Sequence, residues 1–256
     1  MLLSAGNVVV RVFLAPGCAA CDGLLMRPLD SPVCPACWRG IAGLSPPLCA
    51  QCGDALNAWR DADPRCARCR RQPPVYALAR SAGRYEGSLR TIVHAFKYQR
   101  RRLLAAPLGA LMREAGADLL AGADAVVPVP LHLVRSLERG FNQADDLCCA
   151  LRLPVWRVLR RTRHGPPQAG LPAARRHGNV RDAFGLRWGA GHRGLRNTAV
   201  VLVDDVMTTG ATVNACARVL LEAGVRSVGV LTAARAATPR PAAPHGPQPL
   251  SAAPHR

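Results

Sequence analysis

Two groups of residues in this 256-residue chain have the types and spacing that chemistry requires. The first is a set of four Cys-x-x-Cys pairs: Cys18/Cys21, Cys34/Cys37, Cys49/Cys52 and Cys66/Cys69. Two thiolates three positions apart can chelate one tetrahedral zinc, and two such pairs complete a closed four-thiolate site. The second is the run Val200-Val201-Leu202-Val203-Asp204-Asp205-Val206-Met207-Thr208-Thr209-Gly210-Ala211-Thr212. Apolar residues make a strand, an acidic pair caps it, and a Thr/Gly turn opens a helix.

The even spacing of the cysteine pairs predicts two structural zinc ribbons in series. The first would use Cys18, Cys21, Cys34 and Cys37, the second Cys49, Cys52, Cys66 and Cys69; a cross-braced pairing fits the same spacing. A site closed by four thiolates has no open position for catalysis, and so small a module should not fold without its metal. Disulfides are the alternative, disfavoured in a chain expected to be cytoplasmic and reduced. A thiol-redox role is disfavoured because no pair follows a strand and opens a helix. Cys148, Cys149 and Cys216 lie on apolar helical stretches and are expected to be buried.

In the second group, the turn gathers backbone N–H groups and hydroxyls around one point, and the following helix adds partial positive charge there. Two adjacent acids at a strand end suit the vicinal hydroxyls of a ribose. Asp204, Asp205, Thr208, Thr209, Gly210, Ala211 and Thr212 therefore form a candidate ribose 5-phosphate site, with the two acids its candidate catalytic groups.

Strands and helices must bring these residues together. Apolar runs at Ala125–Pro130, Ala199–Val203 and Ser227–Leu231 read as strands. Helical patterns run from Leu103 to Ala115, Asn142 to Ala150 and Thr212 to Ala223, the last stopped by Gly224. Such alternation predicts a parallel α/β sheet with helices on both faces and ligands at the carboxyl ends of its strands. The expected organisation is a double zinc-ribbon module over 1–72, a hinge at Pro73-Pro74, an α/β domain over 75–236, and a disordered Pro/Ala-rich tail over 237–256.

No stretch approaches the roughly 20 apolar residues of a membrane span. Leu14-Ala15-Pro16-Gly17-Cys18 loosely resembles a lipoprotein cleavage site. Arg11 inside the apolar run and Pro16 beside the cut favour a short helix or strand instead. The formal charge of +18, from 34 basic and 16 acidic residues, favours polyanionic or phosphorylated partners. Every basic residue except Lys97 is an arginine, so this lone ammonium is a candidate phosphate contact. Between Arg157 and Arg196 lie ten arginines, one acid, and the aromatics Trp156, Phe184 and Trp188 nearby or within, a pattern suited to nonspecific backbone contact with single-stranded nucleic acid.

The acidic pair and Thr-Gly turn resemble the type I phosphoribosyltransferase motif. The resemblance widens to the ComF family of bacterial competence-associated proteins, with its GntX-like members. It is carried by Asp124 to His132, Arg135, Arg139-Gly140-Phe141-Asn142-Gln143, Tyr85-Glu86-Gly87, Phe96-Lys97-Tyr98, Gln168, Leu171, Arg175 to Asn179, Phe184 and the cysteine module. The resemblance implies a type I phosphoribosyltransferase-like domain binding phosphoribosyl pyrophosphate with Mg²⁺. It also implies a role in DNA uptake during natural competence, with single-stranded DNA and a competence helicase as partners. It makes the turn after Pro130 the pyrophosphate loop, with Pro130, Leu131, Arg135, Arg139 and Lys97 as its candidate residues, and residues from about 160 to 183 a closing loop carrying Arg175 and Arg176. Purine-salvage members carry an acid where this chain has Thr208, which argues against a purine base as substrate. The competing reading is a metabolic phosphoribosyltransferase with no DNA role.

Overall fold

The computed structural model describes residues 5–56, 63–99, 101–131, 140–162, 183–188 and 194–237. Helix α1 (Ala5–Leu14) precedes two cysteine modules, each ending in a five-residue helix, α2 (Pro35–Arg39) and α3 (Ala67–Arg71). The α/β region continues with β1 (Leu78–Ser81), α4 (Gly87–Tyr98), a 3-10 turn at Arg102–Leu104, α5 (Ala105–Ala115), α6 (Ala117–Ala121) and β2 (Ala125–Pro128). Then come α7 (Gln143–Ala150), β3 (Leu159–Arg161), β4 (Phe184–Leu186), β5 (Ala199–Met207), α8 (Ala211–Glu222) and β6 (Ser227–Arg235).

The main sheet has the order β1-β6-β5-β2 with every pairing parallel, and β3 and β4 form a separate antiparallel pair. Strand β5 is central because its apolar run can be buried on both faces. Val200 and Leu202 pack with Val213, Cys216 and Leu220 of α8, while Val201 and Val203 pack with α4, α5 and α7. The expected strands and helices are all present, within a residue or two at most ends. The strand expected at 199–203 runs on through both acids to Met207, and the one expected at 227–231 extends to Arg235.

The two cysteine modules repeat one another bond by bond. Cys18 N–H donates to Gly23 O and Cys49 N–H to Asp54 O, both at 2.8 Å. Asp22 N–H returns to Cys18 O at 2.9 Å, and Gly53 N–H to Cys49 O at 3.0 Å. Ala19 reaches Pro32 O at 2.9 Å, and Ala50 reaches Pro64 O at 3.0 Å. In sequence the copies share little besides the cysteines, Ala19/Ala50 and the prolines Pro16/Pro47 and Pro32/Pro64, so the repeat is carried mainly by backbone bonds and thiolates. The copies dock on opposite faces of the sheet: Cys18, Ala19, Leu25 and Val33 join the core under α4, whereas Cys49, Cys52 and Cys69 join the core under α8.

One position distinguishes the copies. Asp22 and Gly53 occupy the same left-handed place in their knuckles, with φ of 56° and 67°. Asp22 is exposed, but Gly53 is buried against the edge of the sheet, where a Cβ would stand 2.5 Å from Ala79 O. Ala79 N–H donates to Gln51 O at 2.8 Å, so the second knuckle covers the free edge of β1. A Gly53→Ala variant should lose at least about 2 kcal/mol, from left-handed strain plus overpacking, in a urea denaturation curve. Asp22→Ala should lose less than half as much.

Candidate functional site

The eight paired cysteines form two clusters, Cys18/Cys21/Cys34/Cys37 and Cys49/Cys52/Cys66/Cys69, with the sulfurs of each within 4.8 Å of one another. Sequential pairing is therefore the arrangement adopted, and the cross-braced alternative falls. Cys21 Sγ lies 3.9 Å from Cys34 Sγ, and Cys52 Sγ lies 3.7 Å from Cys66 Sγ. A tetrahedron with Zn–S bonds of about 2.3 Å has edges of about 3.8 Å, so both clusters fit structural zinc. Backbone amides turn inward to the same thiolate in each copy: Cys34 N–H to Cys18 Sγ at 3.3 Å, and Cys66 N–H to Cys49 Sγ at 3.2 Å. The second pair of each cluster does open a helix, since Cys34 and Cys66 are the caps of α2 and α3. Neither follows a strand, and every thiol of both pairs is committed to a four-sulfur cluster.

At the carboxyl end of β5 the chain bends over Thr208–Gly210 and enters α8. Gly210 is the helix cap, at φ 81°, a left-handed conformation that a glycine adopts freely. The amides of the first turn of α8 have no partners within the helix, apart from the Asn214 N–H to Gly210 O bond at 2.9 Å that closes it. With the Thr208 and Thr209 side chains exposed, the bend presents amides and hydroxyls at a helix N-terminus, the arrangement that holds a phosphate monoester.

The two acids leave the strand in opposite directions, as pleating requires. Asp205 is on the α4 face and nearly buried, and its Oδ1 accepts from Lys97 Nζ at 2.7 Å. Asp204 is on the α8 face, with its Oδ1 accepting from Asp205 N–H at 2.8 Å. Burial pushes the Cys216 thiol beneath it well up, and the charge of Asp204 adds to that. Lys97 also sits 5.9 Å from the centre of the Tyr85 ring. The lone lysine thus belongs to the acidic pair, a partnership that its sequence position, 108 places away on the chain's α4, does not announce. Pro130 and Leu131 follow β2, the neighbour of β5, with Pro128 in register with Val203, so they lie at the same carboxyl end of the sheet as the acids.

Similarity to known proteins agrees with this architecture. Residues 9–70 match the double zinc ribbon domain and residues 152–246 the phosphoribosyl transferase domain. Competence protein F of Haemophilus influenzae is 32% identical over 231 residues, covering 86% of this chain and 96% of that protein. The chain belongs to the ComF family. Another ComF relative, the DNA utilization protein YhgH of Escherichia coli (strain K12), is 34% identical over 211 residues, or 77% of this chain and 88% of that one. Among solved structures, an allosteric regulatory enzyme of purine biosynthesis superposes with a TM-score of 0.35 at 21% identity, over 55% of this chain and 30% of that one. That likeness is too slight to carry an argument. This ComF protein is accordingly a competence-related, phosphoribosyltransferase-like protein with two zinc ribbons.

Arg135, Arg139, Arg175 and Arg176 lie outside the described residues, as do 163–182 of the expected closing loop and the tail from 238. No described helix is long and apolar enough to cross a membrane. Two expectations need correction. Cys148 is buried but Cys149 is exposed, because the buried face of α7 is made by Gln143, Ala144, Leu147 and Cys148, and Cys149 is turned about a further 100° beyond it. Of the three aromatics near the basic stretch, Phe184 is buried beneath Arg161 and Trp156 packs on the core, leaving Trp188, 93% exposed, as the open ring. The clusters predict two zinc ions per chain by elemental analysis, falling to one in Cys66→Ser and in Cys34→Ser. Retention of both ions in either variant would show that the four sulfurs do not act as one site.

Proposed function

We propose that this ComF protein binds phosphoribosyl pyrophosphate with Mg²⁺ at the β5–α8 bend and serves DNA uptake during natural competence, in contact with single-stranded DNA. The observation that carries the first part is the bend itself: Asp204 and Asp205 at a central strand end, followed at once by Thr208–Gly210 and the N-terminus of α8. In this reading the amides and hydroxyls of Thr208 to Thr212 hold the 5-phosphate. The two carboxylates accept from the ribose hydroxyls. Lys97 orients Asp205 and leaves the trio with one net negative charge, which suits a divalent cation carried with the pyrophosphate. Pro130 and Leu131 belong to the pyrophosphate side, to which the family resemblance also assigns the charges of Arg135, Arg139, Arg175 and Arg176. Mg²⁺, when bound, would neutralise charge developing on a departing pyrophosphate. Thr208 supplies no carboxylate for proton transfer at a purine, so a purine acceptor is disfavoured.

The second part is supported by the names of the relatives, a competence protein and DNA utilization proteins, and by the charge of +18. It is also supported by Trp188 standing exposed beside Arg187, the pairing of ring and cation that takes an unstacked base and its phosphate. A cytoplasmic location and a competence helicase as neighbour belong to the same reading.

Calorimetric titration with phosphoribosyl pyrophosphate should show Mg²⁺-dependent binding, lost in the double variant Asp204→Asn/Asp205→Asn. The double variant should still bind single-stranded DNA. Binding that survives loss of both carboxylates would remove the ribose assignment, and uptake that survives it would make the site dispensable for competence. In a separate experiment, Trp188→Ala should weaken single-stranded DNA binding by about 1–3 kcal/mol, with the salt dependence unchanged. A loss of salt dependence without loss of the stacking energy would place the DNA elsewhere.

A further inference from the structure

The second zinc cluster is wired to the bend through one buried arginine. Arg235 ends β6 and is only 2% exposed. Its Nη1 donates to Cys52 O at 3.1 Å, its Nη2 lies 3.7 Å from Cys52 Sγ, and Nη2 also pairs with Asp54 Oδ2 at 3.4 Å. Arg68, from α3, approaches the same sulfur with Nη2 at 3.5 Å and the same Asp54 at 3.8 Å. A zinc with four thiolates carries two net negative charges, and in a nearly dry setting a guanidinium on a ligand sulfur offsets them.

The backbone of the same residue is tied to the bend. Arg235 is in register with Met207, the last residue of β5, and Ala236 N–H donates to Met207 O at 2.9 Å. Met207 and the buried Tyr76 together support Gly210: a Cβ built there would meet Met207 Cε at 2.8 Å and Tyr76 Oη at 3.4 Å. Tyr76 packs in one core with Cys49, Cys52, Cys69 and Met207. The linker is fixed as well, by Gln51 Nε2 to Pro74 O at 3.0 Å and by Val75 N–H to Asn214 Oδ1 at 2.7 Å, on α8. Cluster, linker, β6 end and bend share one set of contacts.

We propose that Arg235 is a positioning residue through which the second zinc site sets the shape of the Thr208–Gly210 bend. Metal loss or thiol damage at Cys49, Cys52, Cys66 or Cys69 would then loosen the bend, whereas the same loss in the first cluster would not. The inference concerns the bend's geometry and stands apart from which ligand the bend takes.

Hydrogen exchange on the zinc-loaded full chain tests this directly, since it needs no ligand. In Arg235→Gln, zinc release from the second cluster to a chromogenic chelator should speed up about 10- to 100-fold. Exchange of the amides of Ala236 and Asn214, which donate to Met207 O and Gly210 O at the two ends of the bend, should rise at least about tenfold, with the amides of β2 unchanged. Arg235→Lys should restore part of both effects, which a simple volume defect would not allow. Should Arg235→Gln fail to fold, wild-type chain stripped of one equivalent of zinc at the second cluster, compared with Cys21→Ser, supplies the same contrast. Unchanged exchange at Ala236 and Asn214 after zinc leaves the second cluster would overturn the proposal. So would an equal rise when it leaves only the first. Failure to bind phosphoribosyl pyrophosphate alongside normal coupling would instead count against the ribose reading alone.

Discussion

Everything in this molecule is arranged around the requirement that a strand apolar enough to be central must end in two adjacent carboxylates. Pleating sends neighbours to opposite faces, so Asp204 and Asp205 stand together at the strand's end but are supported from different sides. Asp205 falls on the α4 side, where burial of a bare carboxylate would cost several kcal/mol, and Lys97 meets it at 2.7 Å. Asp204 falls on the α8 side, above Cys216, and anchors on the next residue's amide. The bend that follows can then turn its amides outward, because the strand end beneath it is held from both faces.

Holding both faces also explains why the cysteine modules sit where they do. Each is too small to bury a core alone, and each spends its apolar side on a different face of the same sheet. The second knuckle, in addition, covers the edge of β1, a strand of four residues that would otherwise expose its backbone groups. Gly53 is what lets it come so close. The modules are therefore parts of the α/β unit's packing as well as metal sites in their own right.

The sequence carried the local features well, because each rests on short-range chemistry. Cysteine spacing identified the eight sulfurs that cluster in two fours; the run from Val200 to Thr212 identified strand, acids, turn and helix. What escaped was long-range. Strand β1 is short, half polar and at an edge, so its period is weak; α4 starts with Gly87 and carries polar residues on its outer side. The pairing of sulfurs needed coordinates, since in-line and cross-braced schemes share one spacing. Lys97 stood out by type, but its partner lay on another element. Arg235 gave no signal at all: a charged residue ending an apolar run reads as a strand leaving the core.

That last residue is the most informative about energetics. A guanidinium taken out of water costs several kcal/mol even when paired, and the Arg235 Nε has no hydrogen-bond partner among the described residues. An unbranched apolar side chain such as Met would fill much of the same volume without that cost. Stability alone therefore gives no reason for an arginine at this point of β6. Its two terminal nitrogens instead pick out one carbonyl, one carboxylate and one thiolate on a single knuckle, fixing the distance and orientation between metal cluster and strand end. Dispersion contacts would tolerate a slide of the knuckle along the sheet edge; directional hydrogen bonds to a metal-held sulfur do not. The arginine makes sense as a device for registration, and the feature that needs registration at that end of β6 is the bend one strand away.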